Sequence, residues 1–226
     1  VGLAIALTTT IQRLRHLTLN QESLVKQRTM DLDNAVSELF GEMELAKKIQ
    51  TALLPRSPSI RGCEVAATMK PADLVGGDYY DIISTAQGDW IIIGDVSGHG
   101  VSAGLVMMMA QTAVATTIRQ GANVTPPELL SIVNSTMIEN IRRLGEQKYM
   151  TMTVVFRDLS GSFHFAGLHQ DILIYRDHSQ EVENIATTGI WLGLVEEIDP
   201  KLPAGHFELA KGDALLLYTD GITESL

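Results

Sequence analysis

The chain has 226 residues, 45% of them hydrophobic, and a net charge of −10 from 17 basic and 27 acidic side chains. That is enough apolar material for one well-buried domain plus an appendage. The acidic balance, with no basic stripe, argues against nucleic-acid binding through phosphate neutralisation. The lone cysteine, Cys63, excludes an intrachain disulfide and a cysteine-based zinc site, and fits a cytosolic chain.

Val1 to Leu7 is apolar, and Arg13, Arg15 and His16 follow. Such a run falls short of the roughly 20 residues that span a bilayer. It also lacks the charged start and cleavage site of a signal peptide. Two readings are open. One is the end of a longer membrane segment with basic residues on its cytoplasmic side, which would tether a cytoplasmic domain to the inner membrane. The other is an ordinary soluble helix entered part-way along, in a chain cut at both ends.

From about Thr10 to Leu54 there is no proline, and Gly41 is the only glycine. Val25, Leu32, Leu39, Ala46 and Leu53 recur every seven residues, with Val36 and Met43 in complementary positions. This heptad seam predicts a helix that stops at Pro55, because proline disfavours helical geometry in the residue before it. The seam suits a parallel coiled coil that dimerises the chain and links it to an upstream sensor. It equally suits an amphipathic helix packed on its own domain. Ala46 and Gln50 weaken it near the end. The domain boundary is placed here, with 1–54 a helical linker and 55–226 a second domain.

After Pro55 the periodicity predicts strands over 63–69, 78–83 and 90–96, with Cys63 a small buried residue on the first. Residues 101–118 read as a largely buried helix, with Met107, Met108 and Met109 as core filler. Thr125-Pro126-Pro127-Glu128 is a capping box, so a helix is expected over 126–144. Strands are predicted over 149–156, 162–166, 172–175, 207–209 and 214–219, with Ser160-Gly161 as a hairpin turn. The order lacks regular strand–helix alternation. It predicts an α+β fold of antiparallel sheets covered by helices.

Three acidic motifs stand out. Gly76-Gly77-Asp78-Tyr79-Tyr80-Asp81 and Gly94-Asp95-Val96-Ser97-Gly98-His99-Gly100 place Asp78 and Asp95 seventeen residues apart. Tyr218-Thr219-Asp220-Gly221 ends a further apolar run. Successive strands in a hairpin would set Asp78 beside Asp95. Two ionised carboxylates in one pocket repel unless a cation lies between them. Hard oxygen ligands point to Mg²⁺ or Mn²⁺, and such ions activate water for attack on phosphorus. The plainer reading is that each aspartate caps a turn beside glycine.

The stretch Ala46-Lys47-Lys48-Ile49-Gln50-Thr51-Ala52-Leu53-Leu54-Pro55, followed by GGDYYD, GDVSGHG and YTDGITE, resembles the PPM-type (type 2C-like) serine/threonine protein phosphatases. Within them it is most similar to the bacterial branch typified by SpoIIE and RsbU. The resemblance covers about residues 44 to 226. It implies an αββα sandwich, preceded here by the long helix, and Mg²⁺- or Mn²⁺-dependent removal of phosphate from serine or threonine by two-metal-activated water. Carried over by motif, Asp78 and Asp95 become catalytic metal ligands, the Val96 carbonyl another, and Asp220 a ligand of the second ion. Asp81 would either tune the site from behind the ligands or serve the structure alone. Gly77, Gly98, His99 and Gly221 would shape the loops. The implied substrate is a small phosphorylated STAS-type protein, itself controlled by a partner-switching kinase.

Two departures from the family matter. Related eukaryotic enzymes carry a histidine two residues after the Asp95-like ligand, where this chain has Ser97. His99 lies four residues on, and either donates a proton or shapes a Gly-His-Gly turn. The family also has a last metal-binding aspartate beyond the TDG motif, and this chain stops six residues after Asp220. The second metal site is therefore expected to be incomplete. His164 and His169 flank Gly167 out of the family's Ala-Gly-His register and read as structural. A non-catalytic phosphoprotein-binding or dimeric signalling module of the same fold is the alternative function. A metal-dependent nuclease or nucleotide hydrolase is a third, disfavoured by the acidic charge and the absence of a nucleotide motif.

Overall fold

The computed structural model describes residues 2–71, 74–121, 123–198 and 202–224. The chain divides into two compact units, Val1–Leu45 and Ala46–Leu226. The first is carried by helix α1 (Gly2–Leu53), whose last turns belong to the second. Along it Ile11, Leu14, Val25, Leu32, Val36 and Leu39 are exposed. Helices gain most of their stability by burying an apolar face, and among the described residues this face is exposed. Gln50, in those last turns, is completely buried.

In the second unit, β1 (Tyr79–Ser84), β2 (Gly88–Val96), β3 (Met150–Asp158), β4 (Phe163–Leu168) and β7 (Ala204–Phe207) form a five-stranded antiparallel sheet in the order β1-β2-β3-β4-β7. A three-stranded antiparallel sheet has the order β6-β5-β8, from β5 (Ile172–Arg176), β6 (Glu181–Ile185) and β8 (Ala214–Leu216). Helices α2 (Gly100–Arg119) and α3 (Pro126–Leu144) pack on the larger sheet. This is the expected α+β fold. Among the described residues its layers run helix, sheet, sheet.

Strand β2 shows why it reads as a continuous apolar run. Trp90, Ile92 and Val96 join the core under α2 and α3, whereas Ile91 faces Ile172 and Ile174 of the second sheet. Both faces of the strand are dry, so alternation disappears from its sequence. Helix α2 is apolar and long enough to cross a membrane by length and composition alone, but half of it is buried here. Met107 is fully buried, and Met108 and Met109 pack against the same core.

Three expectations need correction. Residues 64–70 form no strand. Cys63 makes only an isolated bridge to Ile60 and is exposed rather than buried. An alternating pattern becomes a strand only where it pairs, and among the described residues no strand pairs with the outer side of β1. Strand β6 escaped prediction because its Glu-Val-Glu-Asn-Ile sequence is exposed and polar. Pairing to β5 forms it, helped by the Arg176–Glu183 ion pair at 2.6 Å. Finally, β7 lies at Ala204–Phe207 rather than 207–209, and β8 ends at Leu216 rather than 219.

Helix α3 matches its predicted span, with Thr125 as N-cap and Gly145 closing it in the left-handed conformation. The Glu128 carboxylate accepts the Thr125 N–H at 2.7 Å and its hydroxyl at 2.8 Å. Thr125→Ala should lower stability by about 1 kcal/mol, read as a shifted urea midpoint with an unchanged slope.

Candidate metal centre

The β1–β2 register pairs Tyr79 with Gly94, and the Val96 N–H donates to the Gly77 carbonyl at 3.3 Å. Asp78 therefore stands across from Asp95. Side chains alternate along a strand. Tyr79 and Ile83 face the helices, and Ile82 and Ile91 face the second sheet. By the same parity Asp78 and Asp95 face the second sheet, where the chain leaving β8 brings in Thr219 and Asp220. Thr219 hydrogen-bonds the Asp78 carboxylate through its side chain.

Electrostatics marks the place. Burial, then the charges of Asp78 and Asp220, push the Asp95 carboxyl up to about 7, and Glu224 adds to the rise. Burial, with Asp220 adding, also raises Asp78. The three aspartates singled out by motif thus share one field. They are not yet gathered as tightly as ligands around an ion: among the described residues, no three His, Cys, Asp or Glu side chains converge to metal-holding distance.

Gly77 supplies the space. A Cβ there would lie 2.6 Å from the Val96 carbonyl oxygen and 2.8 Å from Asp95 Oδ1. Only a residue without a side chain lets these two oxygens and the Gly77 backbone crowd together. The available donors are all oxygen: Asp78, Asp95, Asp220 and the Val96 carbonyl. Mutually repelling carboxylates beside a carbonyl, around a glycine cradle, fit a hard divalent cation.

The loop after β2 is held from the other side. Ser97 N–H donates to the Tyr149 carbonyl at 2.8 Å, Tyr149 N–H donates to Ser97 Oγ at 3.1 Å, and Lys148 Nζ donates to the Ser97 carbonyl at 3.0 Å. Gly98 and Gly100 both have positive φ, 78° and 79°, so the Gly-His-Gly turn requires them. His99 between them is exposed and occupies the N-cap position of α2. Gly221 lies in the short 3₁₀ turn Asp220–Ile222.

Asp81 points away from the centre, on the helix-facing parity of β1. It accepts the Tyr79 hydroxyl at 3.3 Å and the Ile82 N–H at 2.8 Å, and Gln111 of α2 also bonds it. Of the two roles considered for Asp81, these contacts support the structural one. His164 likewise stays remote, paired with Asp158 at the β3–β4 turn at 3.2 Å.

His169 is the residue that sequence reasoning undervalued. Its Nε2–H donates to the Tyr218 carbonyl at 3.1 Å, and its Nδ1 lies 2.8 Å from the Thr151 hydroxyl. Thr151 is the β3 partner of Asp95. Burial lowers the His169 pKa, so the neutral ring accepts from Thr151 while donating to Tyr218. His169 thus ties β3, whose Thr151 hydroxyl also reaches the Asp95 carbonyl at 3.3 Å, to the corner bearing Asp220. Its one-residue offset after Gly167 hid this. Lys148 and Thr151 had no signal beyond proximity that only the fold creates, and Thr219 was marked only as a neighbour of Asp220 in its motif.

Asp95 gives a pH prediction. Its folded pKa of about 7 exceeds the unfolded value of about 3.9. The stability this group contributes is therefore full below pH 4 and is lost as pH rises through 7. Asp95→Asn should stabilise the metal-free chain by about 1–2 kcal/mol at pH 8, after discounting for partial solvent exposure, and by little at pH 4. Urea denaturation at the two pH values checks this.

The family model of Stage II sporulation protein E (SpoIIE) matches residues 86–226. The phosphoserine phosphatase RsbU of Bacillus subtilis (strain 168) is 27% identical over 201 residues, which are 88% of this chain and 58% of RsbU. This chain therefore spans little more than half the length of that relative. The SiaA-PP2C domain of Pseudomonas aeruginosa superposes with a TM-score of 0.65 at 24% identity, covering 83% of this chain and 74% of that one. The catalytic domain of the serine/threonine protein phosphatase PstP, in complex with two manganese ions, has a TM-score of 0.50 at 15% identity, covering 70% of this chain and 76% of that one. At these identities the two structures show a shared fold.

Proposed function

This chain belongs to the SpoIIE family, and from that premise we propose that it is a divalent-metal-dependent phosphatase acting on phosphoserine or phosphothreonine in a regulatory protein. One observation carries the reading: Asp78, Asp95 and Asp220, drawn from three separate motifs, meet in one partly buried place, where burial and the charges of the other two raise Asp95 to about 7. The phosphoserine phosphatase activity printed for RsbU, and the manganese ions of the PstP structure, support the reaction and the cofactor. The partner would be a STAS-type phosphoprotein within a partner-switching circuit, the setting suggested by the likeness to RsbU.

Asp78, Asp95, the Val96 carbonyl and Asp220 would hold Mg²⁺ or Mn²⁺. When bound, such ions supply Lewis acidity toward phosphoryl oxygens and a water acidic enough to attack at neutral pH. The chain's own residues do the rest by placement. Lys148 and Tyr149 pin the Ser97 backbone, which keeps the Val96 carbonyl aimed beside Asp95. His169 holds the Asp220 corner in register with the Asp95 strand. His99, exposed at the rim, shapes the turn into α2.

Phosphate release from a phosphoserine protein with Mn²⁺ tests the reading. EDTA and Asp95→Asn should each reduce turnover at least a hundredfold in a chain that remains folded. No release with either Mn²⁺ or Mg²⁺, with phosphoprotein binding retained, would replace it by the non-catalytic binding module.

The exposed seam of α1 is proposed to pair with a second copy in a parallel coiled coil. The apolar run 1–7 is proposed as the end of a membrane segment that tethers a cytoplasmic domain. Charged substitutions at Leu39 and Met43 should convert a dimer to a monomer by sedimentation and change turnover. Unchanged mass and turnover would remove the coiled-coil proposal.

A further inference from the structure

Gln50 interrupts the heptad seam, yet its side chain is completely buried. Its amide is used at both ends on one residue. Nε2–H donates to the Gly76 carbonyl at 2.6 Å, and Oε1 accepts the Gly76 N–H at 3.2 Å. Gly76 is buried and lies outside any strand. The side-chain amide therefore stands in for the missing strand partner, satisfying a donor and an acceptor that would otherwise be dry and unpaired.

The next residue is Gly77, whose carbonyl receives the Val96 N–H and whose Cα lies against Val96 and Asp95. Helix α2 closes the junction. A Cβ on Gly104 would collide with Val75 Cγ1 and stand 3.2 Å from Gln50 Nε2 and 3.4 Å from the Gly76 carbonyl. Gln50 thus sits where the last turns of α1, the segment leading into β1, and the helix following the Asp95 loop meet.

We propose that Gln50 is a positioning residue for the metal centre, fixing Gly76 so that Gly77 brings Asp78 against the Val96 carbonyl and Asp95. The inference rests on the metal-dependent reading, but its failure is separable from the failure of that reading. It also gives the end of α1 a direct mechanical connection to the ligand loop through one side chain.

The test compares the chain with its Gln50→Met and Gln50→Asn variants by Mn²⁺ calorimetry and by amide exchange at Val96 and at Val154, a core position on β3. Loss of a group that orients ligands typically costs 10–100-fold in metal affinity. Gln50→Met should weaken Mn²⁺ binding at least about tenfold and speed exchange at Val96, with Val154 unchanged. Gln50→Asn keeps the amide on a side chain one methylene short of Gly76, so it should shift both readouts less in the same direction. It carries the test if the methionine variant does not fold. Mn²⁺ affinity within twofold of the parent, or equal acceleration at Val96 and Val154, overturns the proposal, because the second pattern marks a general loss of stability. If the parent chain itself fails to bind Mn²⁺, the metal reading falls. The exchange at Val96 then decides alone whether Gln50 sets the loop.

Discussion

Mutual repulsion among Asp78, Asp95 and Asp220 is the constraint on which the rest of the second unit depends. Burial first, and then the charges of Asp78 and Asp220, raise the Asp95 carboxyl to about 7. A fold that merely sought stability would keep them apart. Instead, the strand register, a glycine cradle and the return of β8 all serve to hold them near one another. Strain of this kind is tolerated where function needs it and offset by packing elsewhere. The offset is visible in β2 and in α2, whose residues fill a dry core on the helix side of the large sheet.

The register of β1 against β2 is the device that meets this constraint. A slip by one residue would turn Tyr79 and Ile83 toward the second sheet and Asp78 toward the helices. The core contacts of Tyr79, Ile83 and Ile92 on one side, and of Ile82 and Ile91 on the other, fix the pairing that sets Asp78 across from Asp95. Hydrophobic burial, spread over the strand, thus specifies the placement of two charges at its end. The loops are then secured by a few directed bonds: Gln50 to Gly76, Lys148 to Ser97, and His169 to Tyr218. Each runs from a side chain to backbone, which fixes position without adding negative charge to an already acidic place.

Some of this was legible because its causes are local. The capping box at Thr125, the proline that ends α1 and the buried run of β2 each declare themselves within a few residues. The acidic motifs were legible through their glycines and their place at strand ends, and their resemblance to a family gave them order. Where the cause was distant, the sequence misled. The alternating stretch after Cys63 had a strand's pattern but forms no strand pairing among the described residues. Strand β6 had an edge but no pattern. Gln50 looked like a flaw in a heptad, because its partner is 26 residues away.

The sequence by itself determined the secondary elements with local signals and the α+β class, and it singled out the three aspartates, since periodicity, capping and motif are properties of neighbouring residues. Only the tertiary structure decided that Asp81 faces the helices while Asp78 faces the second sheet. It also decided that His169 bridges the Asp95 and Asp220 segments, and that Gln50 is buried against Gly76. Those outcomes depend on which strands pair, in what register, and which helix covers them. They are set by the burial of the whole core rather than by any residue within reach along the chain.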